Sequence, residues 1–395
     1  MILSYLADQF VFYNLKKINN GYLQVTDTKD KKYFFGDSKS NLKAKLKINS
    51  PNFSINLLKN GSAGLGESYI NNEFETENLS SLIELSAKNI DVTYKFSGFF
   101  QFLSINNYLT KKIFSNSNTR ATSRKNISYH YDLGNEFFST FLDKTLTYSC
   151  GIFNSPNETL EKAQINKYNK LISLVNPKPG DKILEIGCGW GGFAEHLAKN
   201  YNVKIDCITI SKKQFLFTKE RIRKAGLTNK VNVKMIDYRD IKNRYDIIVS
   251  IEMIEAVGEK YLDEYFSTIK KNLVPGGRAA IQAIIIKDEL YERYRKKEDF
   301  IQKYIFPGGF LPSFKSLNKL SHKSGLKIDG YHLYGSHYSN TLQKWRESFL
   351  GSWDSISRQG FNSSFKKMWD FYFSYCDAGF KSKNIDLIQF SLCNK

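Results

Sequence analysis

No stretch of the 395 residues approaches the ~18 consecutive apolar positions that a membrane-crossing helix requires. The first residues also lack the basic opening and small-residue cleavage site of a secretory signal. The expectation is a cytoplasmic protein, soluble or peripherally associated with the inner face of the membrane. Cys150, Cys188, Cys207, Cys376 and Cys393 form no Cys-x-x-Cys pair and no metal-type spacing with histidine. That argues against a zinc site and a disulfide framework, and fits a reducing compartment. No internal repeat is visible. Acid is in short supply: 39 Asp plus Glu face 58 Lys plus Arg, a formal net charge of +19. Such a surplus attracts polyanions, with nucleic acid and an anionic membrane surface as the two candidates. A merely solvated lysine-rich surface is the plain alternative.

The most informative segment is Lys182-Ile-Leu-Glu-Ile-Gly-Cys-Gly-Trp-Gly-Gly192, an apolar run that breaks directly into glycines. Glycine at 187, 189 and 191 lets the main chain take positive φ and come within contact distance of a small molecule. The spacing is not the Gly-x-Gly-x-x-Gly of a pyrophosphate-binding turn. Instead a carboxylate, Glu185, stands two residues before the first glycine, where it can accept a hydrogen bond from an ammonium group. A cationic amino-acid ligand fits that pattern better than a dinucleotide, and the segment resembles motif I of the S-adenosylmethionine-dependent methyltransferases.

The length suits two domains. Residues 1–110 read as a small α+β domain, with an amphipathic helix over Ile2 to Leu15 and alternating segments at Tyr22 to Val25, Lys32 to Phe35 and Leu42 to Ile48. Residues 111–130 read as a basic linker, with Lys111, Lys112, Arg120, Arg124 and Lys125 and no acid in that stretch. Residues 131–395 form the expected catalytic domain. From about Gly180 its strands and helices alternate: strands at Lys182 to Gly187, Lys204 to Ile210, Val231 to Ile236, Asp246 to Ile251 and Ala279 to Ile286, and a last strand near Leu387 to Leu392. Near-continuous apolar strands between helices predict an α/β fold with a mostly parallel sheet covered on both faces and ligands beyond the strands' carboxyl ends.

Further segments stand in register with the glycine turn: His130-Tyr-Asp-Leu-Gly-Asn135, Leu146-Thr-Tyr-Ser-Cys150, Thr209-Ile-Ser-Lys-Lys-Gln214, Asp237-Tyr-Arg-Asp240, Glu252-Met-Ile-Glu-Ala-Val-Gly258 and Tyr304-Ile-Phe-Pro-Gly-Gly-Phe-Leu-Pro312. Their order and spacing resemble the cyclopropane-fatty-acyl-phospholipid synthase family from about Arg124 onward. Gly64-Leu-Gly-Glu-Ser-Tyr69 extends the likeness loosely into the first domain. The resemblance implies a Rossmann-like class I methyltransferase with a seven-stranded sheet. It also implies transfer of the S-adenosylmethionine methyl to the double bond of an unsaturated phospholipid acyl chain, followed by loss of a proton and ring closure. A homodimer acting at an anionic membrane surface, without nucleic acid, is implied as well.

By the same resemblance, S-adenosylmethionine is held by Tyr148, Ser149, Glu185, Gly187, Gly189, Gly191, Thr209, Gln214, Asp237 and Tyr238. A bound bicarbonate, acting as base, is held by the main chain of Cys150 and Ile284 and by Glu255, Gln282 and Tyr338. No metal is implied. Gln282 departs from the family's histidine: its amide still donates to an anion but does not titrate near neutral pH. Either bicarbonate binds there with altered affinity or another group is the base. Glu255 beside an anion also needs a shared proton to avoid like-charge repulsion. Glu255 is preferred as the site residue, with Glu252 as second candidate, since either could instead cap the next helix. Tyr238 either packs on adenine or completes the core. Asp206 sits inside a strand pattern and is not assigned to ribose.

Three alternatives stay open. A relative within the family makes a methylene- or methyl-branched chain instead of a ring. A nucleic-acid methyltransferase is encouraged by the charge, but Ser250-Ile-Glu-Met-Ile-Glu255 lacks the Asp-Pro-Pro-Tyr type of sequence and no RNA-binding module is legible. A lipid-surface binding protein without turnover is the third.

Overall fold

The computed structural model describes residues 2–96, 118, 122 and 133–394. All but two residues of the expected basic linker, and the start of the His130 segment, lie outside the described residues. The chain divides into two compact units. The first joins Met1–Ser115 to Tyr294–Ile305 and Trp353–Asn384; the second comprises Asn116–Arg293, Phe306–Ser352 and Ile385–Lys395. The division therefore departs from the chain-order boundaries at 110 and 131. Two C-terminal pieces fold with the N-terminal segment, and the reason is aromatic packing.

In the first unit, β1 (Tyr22–Thr26), β2 (Lys32–Gly36), β3 (Lys43–Ile48) and β4 (Phe74–Glu75) form a sheet in the order β2-β1-β3-β4. β3 alternates exposed lysines with buried Ala44, Leu46 and Ile48, the period-2 pattern of a strand with one wet face. The helix Ser363–Lys381 buries Trp369, Phe371, Phe373 and Phe380. Phe371 meets Phe300 at 4.5 Å between ring centroids, and Asp370 accepts from the Tyr69 hydroxyl at 2.7 Å. A side chain at Gly66 would strike the Phe300 ring at 2.3 Å, so the helix Ser62–Ile70 needs glycine there to admit the ring. Glu67 on the same helix accepts from the Tyr304 hydroxyl at 2.5 Å. The Gly64 to Tyr69 and Tyr304 segments of the resemblance thus meet in one packing contact.

The second unit carries β5 (Lys182–Ile186), β6 (Lys204–Thr209), β7 (Val231–Met235), β8 (Tyr245–Ile251), β9 (Leu273–Ile286), β10 (Lys327–Leu333) and β11 (Ile385–Cys393). They form one sheet in the order β10-β11-β9-β8-β5-β6-β7. β11 runs antiparallel to both of its neighbours, while β9, β8, β5, β6 and β7 are parallel. Ile183, Ile205, Cys207, Ile247 and Val249 are buried against the helices Leu160–Val175 and Gly192–Asn200, which shed their apolar faces onto the sheet. Each such side chain contributes about 1.5–3 kcal/mol. β10 is a strand that the apolar pattern does not announce, because it lies at the sheet edge and is mostly exposed. Strand order reverses between β5 and β8, so the connections leaving their carboxyl ends frame a crevice. Among the described residues no helix is long and apolar enough to cross a membrane.

Candidate active site

At the end of β5 the chain turns through Gly187, Gly189 and Gly191 at φ 81°, 52° and 81°. The space beside Gly189 is open where a side chain would project, so this turn presents bare backbone to a ligand. Glu185 is buried, and its Oε2 has no hydrogen-bond partner. Burial pushes this carboxyl up to about 8, against the pull of Lys167 and Arg221. An orphaned buried carboxylate oxygen beneath an open glycine turn fits a ligand that brings a cation, as the amino-acid end of S-adenosylmethionine does.

The Thr209 to Gln214 segment continues from Ile208, whose carbonyl accepts from the Gly187 and Cys188 backbone N–H groups at 3.0 and 2.9 Å. Ser211 caps the helix Lys212–Lys224 by accepting from the Gln214 amide N–H at 3.3 Å, and the Thr209 hydroxyl donates to Gln214 Oε1 at 2.9 Å. Asp237 is clamped by Arg239, whose Nε and Nη2 donate to its two oxygens at 2.9 and 2.7 Å. Tyr238 packs edge-on against Tyr265 at 5.6 Å, which supports its role in completing the core. Asp206 accepts from Asn232, Lys234 and the Tyr245 hydroxyl at 3.0, 2.8 and 2.7 Å, a polar network of its own. That supplies the structural reason for its presence.

Tyr148 belongs to an aromatic chain. Trp190 of the glycine turn meets Phe138 at 4.9 Å, Phe138 meets Tyr148 at 5.3 Å, Tyr148 meets Trp345 at 5.1 Å and Trp345 meets Tyr338 at 6.2 Å. It runs from the cofactor turn to the acid pair described next. Ser149 takes another part: its hydroxyl accepts at 2.7 Å from Lys167, which is fully buried and lies 4.7 Å from the Tyr168 ring centre. Burial pushes this ammonium down to about 8, while Glu252 and Cys150 oppose the shift. Lys167 carries no motif signature in the sequence.

The groups expected to hold an anion do converge, but the chain itself supplies the anion. Glu252, in the turn after β8, adopts φ 49°, the left-handed region that glycine occupies at least cost. This conformation brings its carboxylate among three donors. The Cys150 backbone N–H and Gln282 Nε2 donate to Oε1 at 2.9 and 2.7 Å, and the Tyr338 hydroxyl donates to Oε2 at 2.5 Å. The fourth expected donor, the Ile284 backbone N–H, goes to Glu255 Oε1 at 2.5 Å, while Glu255 Oε2 is buried without a partner. A carboxylate only accepts, so the Gln282 amide faces Glu252 with its NH₂ and turns its carbonyl to Gln389, whose Nε2 donates to it at 2.8 Å. Gln389, on β11 opposite Gln282, belongs to no segment of the family resemblance, which is what singled out Gln282.

Charge follows from this geometry. Burial raises both glutamates, but at Glu252 the Tyr338, Cys150 and Gln282 donors pull the other way. Glu255 has one backbone donor besides its own, and burial together with the Glu252 charge pushes it to about 8. Glu255, at about 8, holds its proton at neutral pH, while at Glu252 three donors oppose the rise that burial imposes. The Cys150 thiol is pushed well up, first by burial and then by Glu252. The Cys150 backbone N–H, not the thiol, meets Glu252.

A mostly parallel sheet of this order with a glycine turn and an orphaned acid at its carboxyl ends defines a class I S-adenosylmethionine-dependent methyltransferase. Residues 118–390 match the family described as mycolic acid cyclopropane synthetase, and the chain belongs to it. It is 35% identical over 344 residues to the tuberculostearic acid methyltransferase UfaA1 of Mycobacterium tuberculosis, covering 85% of this chain and 79% of that protein. It is 33% identical over 352 residues to the cyclopropane-fatty-acyl-phospholipid synthase of Escherichia coli, covering 88% and 87%. Among solved structures, the cyclopropane synthase MmaA2 of Mycobacterium tuberculosis superposes with TM-score 0.65 at 27% identity, covering 68% of this chain and 98% of that one. The mycolic acid cyclopropane synthase CmaA1, complexed with SAH and CTAB, gives the same figures. The family is one of cyclopropane-forming and methyl-branching lipid methyltransferases.

Proposed function

We propose that this protein is a cyclopropane-fatty-acyl-phospholipid synthase, adding a methylene derived from S-adenosylmethionine across the double bond of an unsaturated phospholipid acyl chain. The observation that carries the reading is the aromatic chain from Trp190 to Tyr338, which joins the cofactor turn to a buried carboxylate. The cofactor supplies an electrophilic methyl. An alkene is a weak nucleophile, so the protein's work is to exclude water, hold the double bond against that methyl and meet the resulting carbocation with π faces. Glu185 and the glycine turn hold the cofactor, and a basic group beside the cation removes the proton.

A second reading, a branched acyl product, is favoured by the likeness to UfaA1. Both share every step up to the cation and differ in which proton leaves. The E. coli relative supports a phospholipid as substrate, and the net charge of +19 supports docking of a homodimer on an anionic membrane surface from the cytoplasm. The test is incubation with labelled S-adenosylmethionine and vesicles of mono-unsaturated phospholipid, followed by mass spectrometry of the released acyl chains. A one-methylene gain that resists hydrogenation supports the ring, and one that takes up hydrogen supports the branch. Cofactor binding with no label in lipid would refute the reading.

A further inference from the structure

The sequence's likeness implies a bicarbonate base, yet the donors that would hold it are already bonded. Cys150 N–H, Gln282 Nε2 and Tyr338 Oη all donate to Glu252, and the Ile284 N–H donates to Glu255. Bicarbonate does not fit this arrangement unless Glu252 leaves. A glutamate carboxylate and a bicarbonate present the same planar O–C–O edge to donors, so the donor set that suits one suits the other.

We infer that Glu252 is the built-in base of this enzyme, standing in the anion cradle in place of an exogenous bicarbonate. The inference rests on the acyl-chain reading above. The step balances without a further reagent. The alkene electron pair forms a bond to the methyl carbon of the cofactor, the carbon–sulfur bond breaks, and the sulfonium becomes a neutral thioether. The positive charge then lies on the second alkene carbon. Glu252 takes a proton from the new methyl, and the electron pair of that C–H bond closes the ring on the cationic carbon. Glu252 is left as the carboxylic acid and returns its proton to solvent after product leaves.

Three features of the site suit this assignment. The three donors fix the Glu252 carboxyl and oppose the rise that burial imposes on it, so it is oriented before the cation forms. Glu255 keeps its own proton, because burial and the Glu252 charge push it to about 8, and so it does not compete as a base at neutral pH. Glu252 also keeps a backbone conformation that costs a non-glycine residue about 1 kcal/mol or more, a strain of the kind found at functional positions. Glycine takes φ 49° readily, so Glu252→Gly should fold and would reopen the cradle.

The test uses the full-length protein in carbonate-free buffer under argon. Wild type is expected to turn over on mono-unsaturated phospholipid vesicles at a rate that added bicarbonate changes less than about twofold. Glu252→Gln, which keeps the shape, should lose about 10²–10⁴ in turnover, the worth of a general base, with S-adenosylmethionine affinity kept and no response to bicarbonate. Glu252→Gly should lose as much and recover at least about tenfold when bicarbonate is added. Carbon-13 NMR of labelled bicarbonate gives a readout independent of turnover: line broadening is expected with Glu252→Gly and not with wild type. Wild-type turnover that demands bicarbonate, wild-type bicarbonate binding equal to that of Glu252→Gly, or full activity in Glu252→Gln would each overturn the base assignment alone. Absence of lipid product in every buffer would overturn the acyl-chain reading and the base role with it.

Discussion

The two ends of the crevice treat their buried acids in opposite ways. At the end of β5, Glu185 is buried with an oxygen that nothing in the chain satisfies. In the turn after β8, Glu252 is buried with three donors, all from the chain. The first is an unfinished electrostatic arrangement that a cationic ligand completes. The second is complete in itself, and its fourth neighbour, Glu255, is neutralised by a proton instead of a ligand. An orphaned buried polar atom marks where a ligand is to come; a satisfied one asks for none.

The sharpest way to break this contrast is to remove each acid's function separately. Glu185→Gln should weaken S-adenosylmethionine binding by about 100-fold, about 2.7 kcal/mol, measured by calorimetry, without lowering the melting temperature of the ligand-free protein. A weakened ligand-free protein would show that Glu185 was not orphaned after all. Tyr338→Phe removes one donor from Glu252 and should slow turnover by about 10–150-fold while the S-adenosylmethionine affinity holds, since hydrogen bonds to charged groups are worth about 1.5–3 kcal/mol. Equal loss in both quantities would dissolve the distinction between the two ends. Gln389→Leu leaves the Gln282 carbonyl without its donor and should cost about 1–3 kcal/mol in denaturant unfolding.

Two smaller effects concern protons. Glu185, at about 8, is protonated in the ligand-free protein at neutral pH, and a cationic ligand draws it down again. Binding should therefore release a fraction of a proton at pH 7, read by calorimetry in buffers of unlike ionisation enthalpy, and Glu185→Gln should abolish the release. Stability has a definite sign as well. Glu255 keeps its proton in the folded state up to about 8 but loses it near 4.5 when unfolded, so its contribution is fully present below pH 4.5 and declines as pH rises to about 8. Unfolding free energy measured across that range should fall less steeply in Glu255→Gln than in wild type.

These same two ends explain what was legible in the sequence. Glu185 and the three glycines lie within seven residues, so one strand and one turn carry the cofactor chemistry and the eye finds them together. The acid pair is assembled from Cys150, Glu252, Glu255, Gln282, Tyr338 and Gln389, segments that only the sheet brings together. Most of those positions were reachable through family resemblance, which maps Glu255 onto the family's glutamate; the left-handed turn that swings Glu252 inward leaves no periodic trace. Lys167 hides in an amphipathic helix where a lysine ordinarily faces water. The division into units was illegible for a related reason: the aromatic face of Ser363–Lys381 announces that it is buried but not against what.

The most direct measurement uses S-adenosylmethionine carrying a trideuterated methyl, vesicles of mono-unsaturated phospholipid and carbonate-free buffer, with mass spectrometry of the acyl chains. Chains heavier by one dideuterated methylene are expected, formed as fast without bicarbonate as with it, because Glu252 removes one deuteron from the transferred methyl. Chains that keep all three deuterons, or that form only when bicarbonate is supplied, would contradict that expectation.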